Sequence, residues 1–404
     1  MDDVRSSIDA LIATSEAIHD VECVNLNPAT NSMSPRAVAA MHALNPRPSL
    51  GYPGDKYEMG LEGIEQIEVI AAELAATVFG AEYAEVRVPS GALANMYAFM
   101  ACAQPGDSII APPASIGGHV THHTPGVAGL HGLDIHEAPI DADNYTVDVA
   151  GVADLAQRVR PKMITIGCSL NLTHHDVAAL RAVADDVDAI LLFDAAHLSG
   201  AIAGGAWPNP LAQGAHILTM STYKSLAGPA GGMLLTNDAA IAERVDAIAY
   251  PGLTANFDAA KTAGLAVTLA DWVSFGSEHS EAMVSCAATL ADELAALDLP
   301  VVSTTKGFTQ SHAFAVDAAD YGGGHTAAQH LRRANLLSCA IGIPNGDAMR
   351  IGTNELVRWG ATNTDMAPLA QLIAQALRSG DPASLAPEVT EYRSQFTDIH
   401  FAAP

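Results

Sequence analysis

Apolar residues recur along this chain with two periods, and the two periods alternate between about residues 63 and 240. Short runs of branched apolar residues predict buried strands, whereas three- and four-residue spacings predict amphipathic helices. The helical spacing is clearest in Gly63–Phe79, with Ile64, Ile67, Leu74 and Val78 on one face. The predicted strands are Glu85–Val88, Ser108–Ala111, Leu133–Ala138, Met163–Gly167, Ala189–Phe193, His216–Met220 and Gly232–Thr236. The other predicted helices of this region are Leu93–Ala103, Asp148–Val159 and Val177–Val187. Such alternation predicts an α/β fold, with a mostly parallel sheet covered by helices on both faces.

The segments outside this region have different patterns. The first 45 residues predict a helix, a loop and a second helix that begins at Ser34-Pro35, and Pro46–Gly60 predicts a loop because it is rich in Pro, Gly and Tyr. Short strands at Phe314–Val316 and Met349–Thr353 mix with helices, which predicts a smaller α+β domain. We expect the following division: an N-terminal arm (1–45), a large domain (46–255), an Ala-rich connecting helix (256–297), a small C-terminal domain (298–385) and a loosely packed tail (386–404).

Charge and composition narrow the class of protein. The 404 residues are 49% hydrophobic, which fits a globular chain with a large core. Acidic residues number 45 against 19 basic ones, for a formal charge of −26. Phosphate backbones and anionic membranes repel such a surface, so we expect neither nucleic acid nor a membrane as a partner.

Cysteine usage and the N-terminus indicate the compartment. The five cysteines are scattered without CxxC spacing, as in reduced cytosolic proteins. The N-terminus is acidic without an apolar signal core, and no apolar run reaches the ~18 residues that span a bilayer. We therefore expect a cytoplasmic protein.

A single lysine stands out as a candidate for covalent chemistry. Lys224 lies between a predicted strand and the turn Gly228-Pro229, among small, hydroxyl and apolar neighbours, in a chain with only five lysines. Desolvation there favours the neutral amine, which can attack an aldehyde. A solvated lysine in a turn is the alternative.

An aspartate lies about thirty residues upstream. Asp194 follows the predicted strand Ala189–Phe193, and His197 comes three residues later. Alone, an aspartate at a strand end is more often a helix cap or a turn former. An acidic partner for a pyridinium nitrogen, followed by a Schiff-base lysine on a later strand, is nevertheless the arrangement that a pyridoxal phosphate (PLP) enzyme needs.

Three further motifs offer binding groups. Ser90-Gly91 lies between a strand and a helix, where exposed N–H groups bind phosphate, although a plain helix cap looks the same. His119 follows two glycines and could stack on a flat ring, and we expect no metal site at the nearby His122 and His123 because no acid cluster accompanies them. Arg350 lies between apolar residues on a predicted strand, so it needs an anionic partner, either a substrate carboxylate or an internal acid.

In this order, the motifs resemble the serine hydroxymethyltransferase family of fold-type I PLP enzymes over about residues 20 to 380. The matching segments are Gly51-Tyr52-Pro53-Gly54, Ser90-Gly91, Pro105-Gly106-Asp107, Gly117-Gly118-His119, Arg160-Pro161-Lys162, Asp194-Ala195-Ala196-His197, Pro208-Asn209-Pro210, Lys224-Ser225-Leu226-Ala227-Gly228-Pro229, Gly231-Gly232 and Arg350-Ile351-Gly352-Thr353. The resemblance implies an aspartate aminotransferase-like three-layer fold, with PLP in the large domain.

The resemblance also implies a role for each site residue. Lys224 would carry PLP as a Schiff base, Asp194 would pair with the pyridine nitrogen and His119 would stack on the ring. The other implied cofactor-binding residues are Ser90 and Gly91 at the phosphate, His197 and Ser169 near the ring hydroxyl, Ser221, and Tyr57 from the neighbouring subunit of a homodimer with shared active sites. Arg350 would bind the substrate carboxylate.

The chain departs from the family pattern where folate chemistry takes place. Leu50 replaces the glutamate before Gly-Tyr-Pro-Gly, and Pro48 replaces a tyrosine. Tyr223 replaces the histidine before the Schiff-base lysine, and Glu58 one of two tyrosines. Ala92, Ala230 and the stretch Leu253-Thr254-Ala255 are further departures. The resemblance thus extends to the PLP site more fully than to the folate site.

We therefore expect a PLP-dependent enzyme that acts at Cα of a small amino acid by aldol or retro-aldol chemistry without folate. An aldolase, a transaldolase or a hydroxymethyltransferase-type enzyme would fit, with His119 or Tyr223 as the base and an aldehyde as a possible co-substrate. The alternatives are a tetrahydrofolate-dependent serine/glycine or 2-methylserine hydroxymethyltransferase, a PLP decarboxylase, racemase or aminotransferase, and an inactive dimeric scaffold.

Overall fold

The structure, a computed structural model, describes residues 2–44 and 47–404. The helices are α1 (Asp2–Glu16), α2 (Pro35–Leu44), α3 (Glu62–Phe79), α4 (Gly91–Cys102), α5 (Val127–Leu130), α6 (Val149–Val159), α7 (Val177–Asp186), α8 (Ser199–Ala203), α9 (Ala239–Ala247), α10 (Ala259–Ala296), α11 (Gly324–Arg332), α12 (Asn354–Arg358), α13 (Met366–Arg378) and α14 (Ala386–Arg393). The strands are β1 (Val24–Asn25), β2 (Pro48–Tyr52), β3 (Asp55–Lys56), β4 (Tyr83–Val88), β5 (Ser108–Ala111), β6 (Asp134–Glu137), β7 (Ile140–Asp141), β8 (Thr146–Val147), β9 (Met163–Ile166), β10 (Ile190–Asp194), β11 (Ile217–Ser221), β12 (Gly232–Thr236), β13 (Asn256–Asp258), β14 (Ala313–Asp317), β15 (Leu336–Leu337), β16 (Cys339–Ile343) and β17 (Gly346–Gly352).

Within the described residues, seven strands form the central sheet in the order β4-β12-β11-β10-β9-β5-β6. All neighbours from β11 to β6 are parallel, and β12 is antiparallel to both β11 and β4. The predicted mostly parallel α/β sheet is therefore confirmed. Parallel strands end at the same edge of a sheet, so Asp194 at the end of β10 and Ser221 at the end of β11 lie at one carboxyl edge, where α/β proteins commonly bind ligands.

The elements predicted from periodicity between residues 63 and 236 are confirmed, with ends within two residues of those observed. The hydrophobic signal of the strands is strong because both faces of the parallel sheet are covered, so side chains on either face are apolar. Leu191, Leu192 and Phe193 of β10 are fully buried. The long helix predicted over 256–297 begins at Ala259 and ends at Ala296. It packs against α2, α3, α8 and α13.

The prediction of a loop over Pro46–Gly60 is wrong for its described part, because β2 and β3 form a hairpin and β2 also pairs with β13. A buried ion pair fixes the hairpin: Nζ of Lys56 lies 2.5 Å from Oε2 of Glu68 on α3, and the Ser49 hydroxyl donates to Glu68 Oε1 at 2.7 Å. These long-range contacts stabilise a segment whose Pro and Gly content is typical of a loop.

The prediction of a loosely packed tail is also wrong. Residues 386–393 form α14, with Val389 fully buried. Beyond it, the Phe401 ring stacks on His279 of α10 at 4.7 Å, and the Ala403 N–H donates to Asp271 at 3.0 Å. The few apolar residues of this segment are therefore placed to pack on α10. The division into an arm, two domains and a connecting helix stays a prediction, and its boundary at residues 45 and 46 lies outside the described residues.

None of the helices in residues 2–44 and 47–404 combines the length and the apolar character that crossing a membrane requires.

Candidate functional site

A cavity of about 140 Å³ opens at the carboxyl edge of the central sheet. It is lined by residues from α4, from the segments that follow β5 and β9, and from the ends of β10 and β11: Ser90, Gly91, Ala92, Asn95, His119, Thr121, Cys168, Ser169, Asp194, Ala196, His197, Ser221, Tyr223 and Lys224. Nine residues predicted from the sequence are among them: Ser90, Gly91, His119, Ser169, Asp194, His197, Ser221, Tyr223 and Lys224.

The N-terminus of α4 forms one wall of the cavity. Ser90 caps the helix, with its hydroxyl oxygen accepting from the Leu93 N–H at 3.2 Å. A Cβ on Gly91 would lie 2.3 Å from the Ser221 hydroxyl oxygen and 3.4 Å from Cα of Ser221, so a larger residue here would displace the Ser221 side chain. The first N–H groups of a helix lack intrahelical partners and carry partial positive charge. This wall is therefore suited to a phosphate.

Asp194 is a buried carboxylate held by several donors. Its Oδ2 accepts from Asn95 Nδ2 at 2.8 Å and from His122 Nε2 at 2.9 Å, and its Oδ1 accepts from the Ala196 N–H at 2.9 Å. Burial raises the pKa of Asp194, but the hydrogen bonds from His122 and Asn95 outweigh that effect and hold the pKa below its usual value. The site thus maintains a fixed negative charge beside the cavity.

Lys224 lies in the same cavity and is only 6% exposed. Burial lowers the pKa of its amine to about 8; the charge of Asp194 partly offsets this, and the charge of Arg350 adds to it. Its Nζ lies 3.0 Å from Nε2 of His197. A substantial fraction of the amine is therefore neutral near pH 8, which is the form that attacks a carbonyl carbon.

Arg350 lies behind this cluster, on β17. Its Nη1 donates to the Ser169 carbonyl oxygen and lies 3.3 Å from Nε2 of His197, while Nε and Nη2 donate to Sγ of Cys339 at 3.3 and 3.2 Å. Among the described residues, no carboxylate forms an ion pair with this buried guanidinium. The sequence left two anionic partners open for Arg350, a substrate carboxylate and an internal acid, and the structure therefore favours the substrate carboxylate.

His119 has one ring nitrogen already engaged. The Thr121 N–H donates to Nδ1 of His119 at 3.3 Å, so in the neutral ring the proton resides on Nε2. Burial lowers the pKa of His119, and the charge of Asp194 only partly offsets this. A neutral ring without a free acceptor nitrogen is better suited to stacking than to taking a proton.

The structure does not bring Tyr57 into the cavity of its own chain. Tyr57 is 79% exposed, beyond the β2–β3 hairpin. Tyr223, in contrast, lines the cavity, with its ring centroid 6.0 Å from Nζ of Lys224.

Sequence reasoning assigned no role to Asn95, His122, Cys339 or His312, which the fold places at or next to the site. Asn95 is a polar residue on a buried face of α4, and the Thr219 hydroxyl donates to its Oδ1 at 2.7 Å. A lone amide within an otherwise apolar helical stretch was the available signal. His122, where the sequence predicts no metal site, is buried against Asp194.

Across the described part of the chain, His, Cys, Asp and Glu side chains form no group of three that could hold a metal ion. His123, next to His122, is directed to the carbonyl oxygen of Pro112 at 3.0 Å.

The cavity has the groups that PLP requires. The α4 N-terminus offers N–H donors for a phosphate, the carboxylate of Asp194 matches a protonated ring nitrogen, and Lys224 supplies an amine of lowered pKa. These three groups match the phosphate, the ring nitrogen and the aldehyde of the cofactor, so the residues fit PLP.

Comparison with known proteins gives one family and a group of close relatives. The family model described as SHMT, serine hydroxymethyltransferase, matches residues 2–373. An α-methylserine aldolase of Variovorax paradoxus is 58% identical over 98% of this chain and 92% of its own length. An α-methylserine aldolase of a Ralstonia species is 53% identical over 97% of this chain and 91% of its own. A serine hydroxymethyltransferase of Methanopyrus kandleri is 35% identical over 87% and 84%.

Among solved structures, the chain is similar to an L-threonine transaldolase from Pseudomonas fluorescens, crystallised in its internal aldimine state. The TM-score is 0.91 at 22% identity, over all of this chain and 96% of the other. This likeness confirms the expected fold of a fold-type I PLP enzyme.

Proposed function

The chain belongs to the serine hydroxymethyltransferase family, and we propose that within it the protein is a folate-independent aldolase for α-methylserine or a similar Cα-branched 3-hydroxy amino acid. The coarser predictions are confirmed: the protein is a PLP-dependent enzyme of aldolase or transferase type that acts on a small amino acid. The observation that carries the finer proposal is the identity of 53–59% to α-methylserine aldolases, against 33–35% to serine hydroxymethyltransferases.

A structural observation supports independence from folate. Leu50, which stands where the family has a glutamate, lies in β2 opposite Asn256 of β13 and is half-buried. Pro48 ends the same strand pairing opposite Asp258. Neither side chain can donate or accept a proton, so this hairpin lacks the two groups that the resemblance associates with one-carbon transfer.

Cleavage of α-methylserine breaks the Cα–Cβ bond. The hydroxyl group loses its proton as Cβ leaves as formaldehyde, and Cα gains a proton to give alanine. PLP, when bound, acts as the electron sink for the electron pair left on Cα.

The chain's own residues would bind and orient the reactants. We propose that Lys224 holds the cofactor, that Asp194 maintains its ring nitrogen in the protonated state, and that His119 stacks on the ring. Ser90, Gly91 and Ser221 would bind the phosphate, and Ser169 and His197 would lie near the ring hydroxyl. Arg350 would bind the amino-acid carboxylate. With His119 already engaged through Nδ1, Tyr223 is the better candidate for the base, and it would take the hydroxyl proton in its phenolate form.

The experiment that tests this function incubates purified enzyme and PLP with α-methylserine and measures formaldehyde and alanine over time. We expect equal amounts of the two products and no change when tetrahydrofolate is added. Lys224→Ala, which lacks the amine, serves as the negative control. Cleavage of serine that rises saturably with folate would instead identify a hydroxymethyltransferase.

We further propose a homodimer with shared active sites. All residues from 4 to 16 on α1 are exposed in the single chain. Val4, Ile8, Leu11 and Ile12 form one apolar stripe on this helix, which contact with a second subunit would remove from water. Tyr57 is exposed in its own chain, as expected for a residue that reaches the active site of the neighbouring subunit. Sedimentation at equilibrium tests the assembly, and a monomer at micromolar concentration would contradict it.

A cytoplasmic location completes the proposal. It is supported by the five cysteines, all of which are free thiols. An aldehyde co-substrate is proposed only for the reverse, synthetic direction, in which formaldehyde and alanine would combine.

A further inference from the structure

Arg350 and Cys339 are direct neighbours across two antiparallel strands. The two residues are partners in the register of β16 and β17, and Nε and Nη2 of Arg350 lie 3.3 and 3.2 Å from Sγ of Cys339. A guanidinium group has donors only, so the sulfur accepts both contacts. These contacts fix the plane of the guanidinium, and they require the single hydrogen of the thiol to be directed away from Arg350.

The hydrogen of that thiol has an acceptor in the N-terminal segment. Sγ of Cys339 lies 3.3 Å from Oδ1 of Asn27. The Ala29 N–H donates to the same Oδ1 at 3.1 Å in a local turn, and a backbone N–H can only donate. The atom that faces Cys339 is therefore the amide oxygen and not the amide nitrogen, so the thiol donates to it. With its hydrogen directed at Asn27, the sulfur presents its lone pairs to Arg350.

The segment that carries Asn27 is fixed against β15 and β17. The Leu26 N–H donates to the Leu337 carbonyl oxygen at 2.8 Å, and the Leu26 carbonyl oxygen accepts from the Gly352 N–H at 2.8 Å. A Cβ on Gly352 would lie 2.5 Å from Cβ of Pro28, so a larger residue there would displace this segment from β17. The backbone on either side of Asn27 therefore has a fixed position relative to the strand that carries the arginine.

A buried acid of α12 binds the same segment through side chains. Oε2 of Glu355 accepts from Asn25 Nδ2 at 2.8 Å and from the Thr30 hydroxyl at 3.1 Å, and the residue is only 6% exposed. Oδ1 of Asn25 in turn accepts from the Asn27 N–H at 3.0 Å. Residues before and after Asn27 are thus bound to one buried carboxyl group, which keeps the Asn27 side chain beside Cys339.

We propose that Asn27 is a positioning residue for the substrate carboxylate: it holds the thiol of Cys339 in the orientation that accepts from Arg350. The inference rests on the proposed function in one respect, the role of Arg350 in carboxylate binding. Without the amide oxygen of Asn27, the thiol can rotate its hydrogen towards Nε and Nη2 of Arg350, where a donor would face two donors. The guanidinium would then lose contacts that fix its plane, and the affinity for a carboxylate would fall.

The direct test compares two ligands that differ only in the carboxylate. Calorimetry measures the dissociation constants of L-alanine and of L-alaninol, in which CH2OH replaces the carboxylate, with the holoenzyme. For Asn27→Ala we expect the constant for alanine to rise roughly three- to tenfold, as for the loss of one hydrogen bond, and the constant for alaninol to stay unchanged. Asn27→Asp retains the acceptor oxygen and should restore most of the affinity for alanine.

A second variant separates the contact with Cys339 from the local turn. In Asn27→Ser the hydroxyl oxygen can still accept from the Ala29 N–H, but the shorter side chain does not reach Cys339. We expect the same loss of affinity for alanine as in Asn27→Ala, and this variant takes the place of Asn27→Ala if the latter does not fold.

Action through Cys339 also predicts that the effects of two substitutions do not add. Asn27→Ala and Cys339→Ala should each weaken alanine binding, and the double variant should bind alanine as tightly as Cys339→Ala alone. The matched control is Asn209→Ala. Oδ1 of Asn209 likewise accepts from the N–H two residues on, that of Leu211 at 2.9 Å, and its Nδ2 donates to the Phe79 carbonyl oxygen, but neither of these partners lines the cavity. This control should lower thermal stability and leave alanine binding at the wild-type value.

Three results would contradict the proposal: an unchanged constant for alanine in Asn27→Ala or Asn27→Ser, an equal rise for alaninol, or a double variant in which the two effects multiply in full. A wild-type enzyme that binds alanine no more tightly than alaninol would overturn it without any variant. If the wild-type enzyme cleaves no α-methylserine, the proposed substrate is wrong, and the comparison of alanine with alaninol still decides the role of Asn27.

Discussion

Nε2 of His122 lies 2.9 Å from Oδ2 of Asp194, and both side chains are buried. A carboxylate can only accept, so the imidazole donates. Together with Asn95, His122 therefore holds the negative charge that Asp194 presents to the cavity. The ring of His122 is itself packed edge-on against Phe99 at 5.8 Å between centroids, which fixes its orientation.

His122→Phe should keep the ring in place while removing its donor. Loss of a hydrogen bond to a buried charge costs on the order of 1.5–3 kcal/mol, about ten- to a hundredfold in rate. The pKa of Asp194 should then rise, and kcat for amino-acid cleavage should fall by that factor, as measured by steady-state kinetics. His123→Phe, at the adjacent histidine whose Nε2 lies 3.0 Å from the Pro112 carbonyl oxygen, is the matched control and should be near wild type. Equal losses in the two variants would argue against the role of His122.

The lowered pKa of Lys224 predicts the pH dependence of cofactor incorporation. A lysine with an ordinary pKa of 10.5 is almost fully protonated at pH 8, whereas a pKa of about 8 leaves half of the amine neutral. Because the neutral amine attacks the aldehyde, the rate of PLP incorporation into apoenzyme should rise up to about pH 8 and then level off. Stopped-flow absorbance measures this rate. A rate still rising tenfold per unit at pH 10 would show that burial does not lower the pKa.

Cys339 should orient Arg350 for a carboxylate. Its sulfur accepts from Nε and Nη2 of Arg350 and donates to Asn27 at 3.3 Å. In Cys339→Ala the guanidinium loses this acceptor, and KM for the amino acid should rise roughly three- to tenfold with little change in kcat. Cys339→Ser retains an acceptor and should restore most of the affinity.

Cys102→Ala is the control for that prediction, since Cys102 likewise lies beside an arginine, Arg244, whose Nε donates to the Ala101 carbonyl oxygen and not to a residue of the cavity. A KM that stays at the wild-type value in Cys339→Ala would mean that Ser169 and His197 suffice to orient Arg350.

Sharing of Tyr57 between subunits can be tested by mixing two inactive variants. Lys224→Ala and Tyr57→Phe each inactivate a homodimer if Tyr57 serves the partner's site. In hybrid dimers one of the two sites then contains an intact Lys224 and an intact Tyr57. Random pairing should restore about a quarter of wild-type activity. Restoration requires subunit exchange, which a mixture unfolded and refolded together provides. If the refolded mixture is dimeric and recovers no activity, Tyr57 does not serve the partner's site: it acts in the site of its own chain or in neither site.

Much of the fold could be predicted because its signals are local. The strand Ser108–Ala111 and the helix that ends at Phe79 follow from hydrophobic periodicity, and Ser90 caps α4 through a contact three residues away. The positions of Lys224 and Asp194 at strand ends follow from the same local pattern. The β2–β3 hairpin and the packed C-terminal segment did not follow, since ion pairs and ring stacking with distant helices stabilise them.

The sequence by itself determined the order of strands and helices, the acidic surface and the motifs that resemble a PLP enzyme, because each depends on residues that are neighbours in the chain. Only the tertiary structure decided which side chains surround those motifs. Asn95 meets Asp194 across 99 residues, and Arg350 meets His197 across 153. Such contacts depend on where α4 and the three-stranded sheet β14-β17-β16, which carries Arg350, lie relative to the carboxyl edge of the central sheet. The charges, donors and burial that set the pKa of Lys224 and Asp194 therefore exist only in the folded chain.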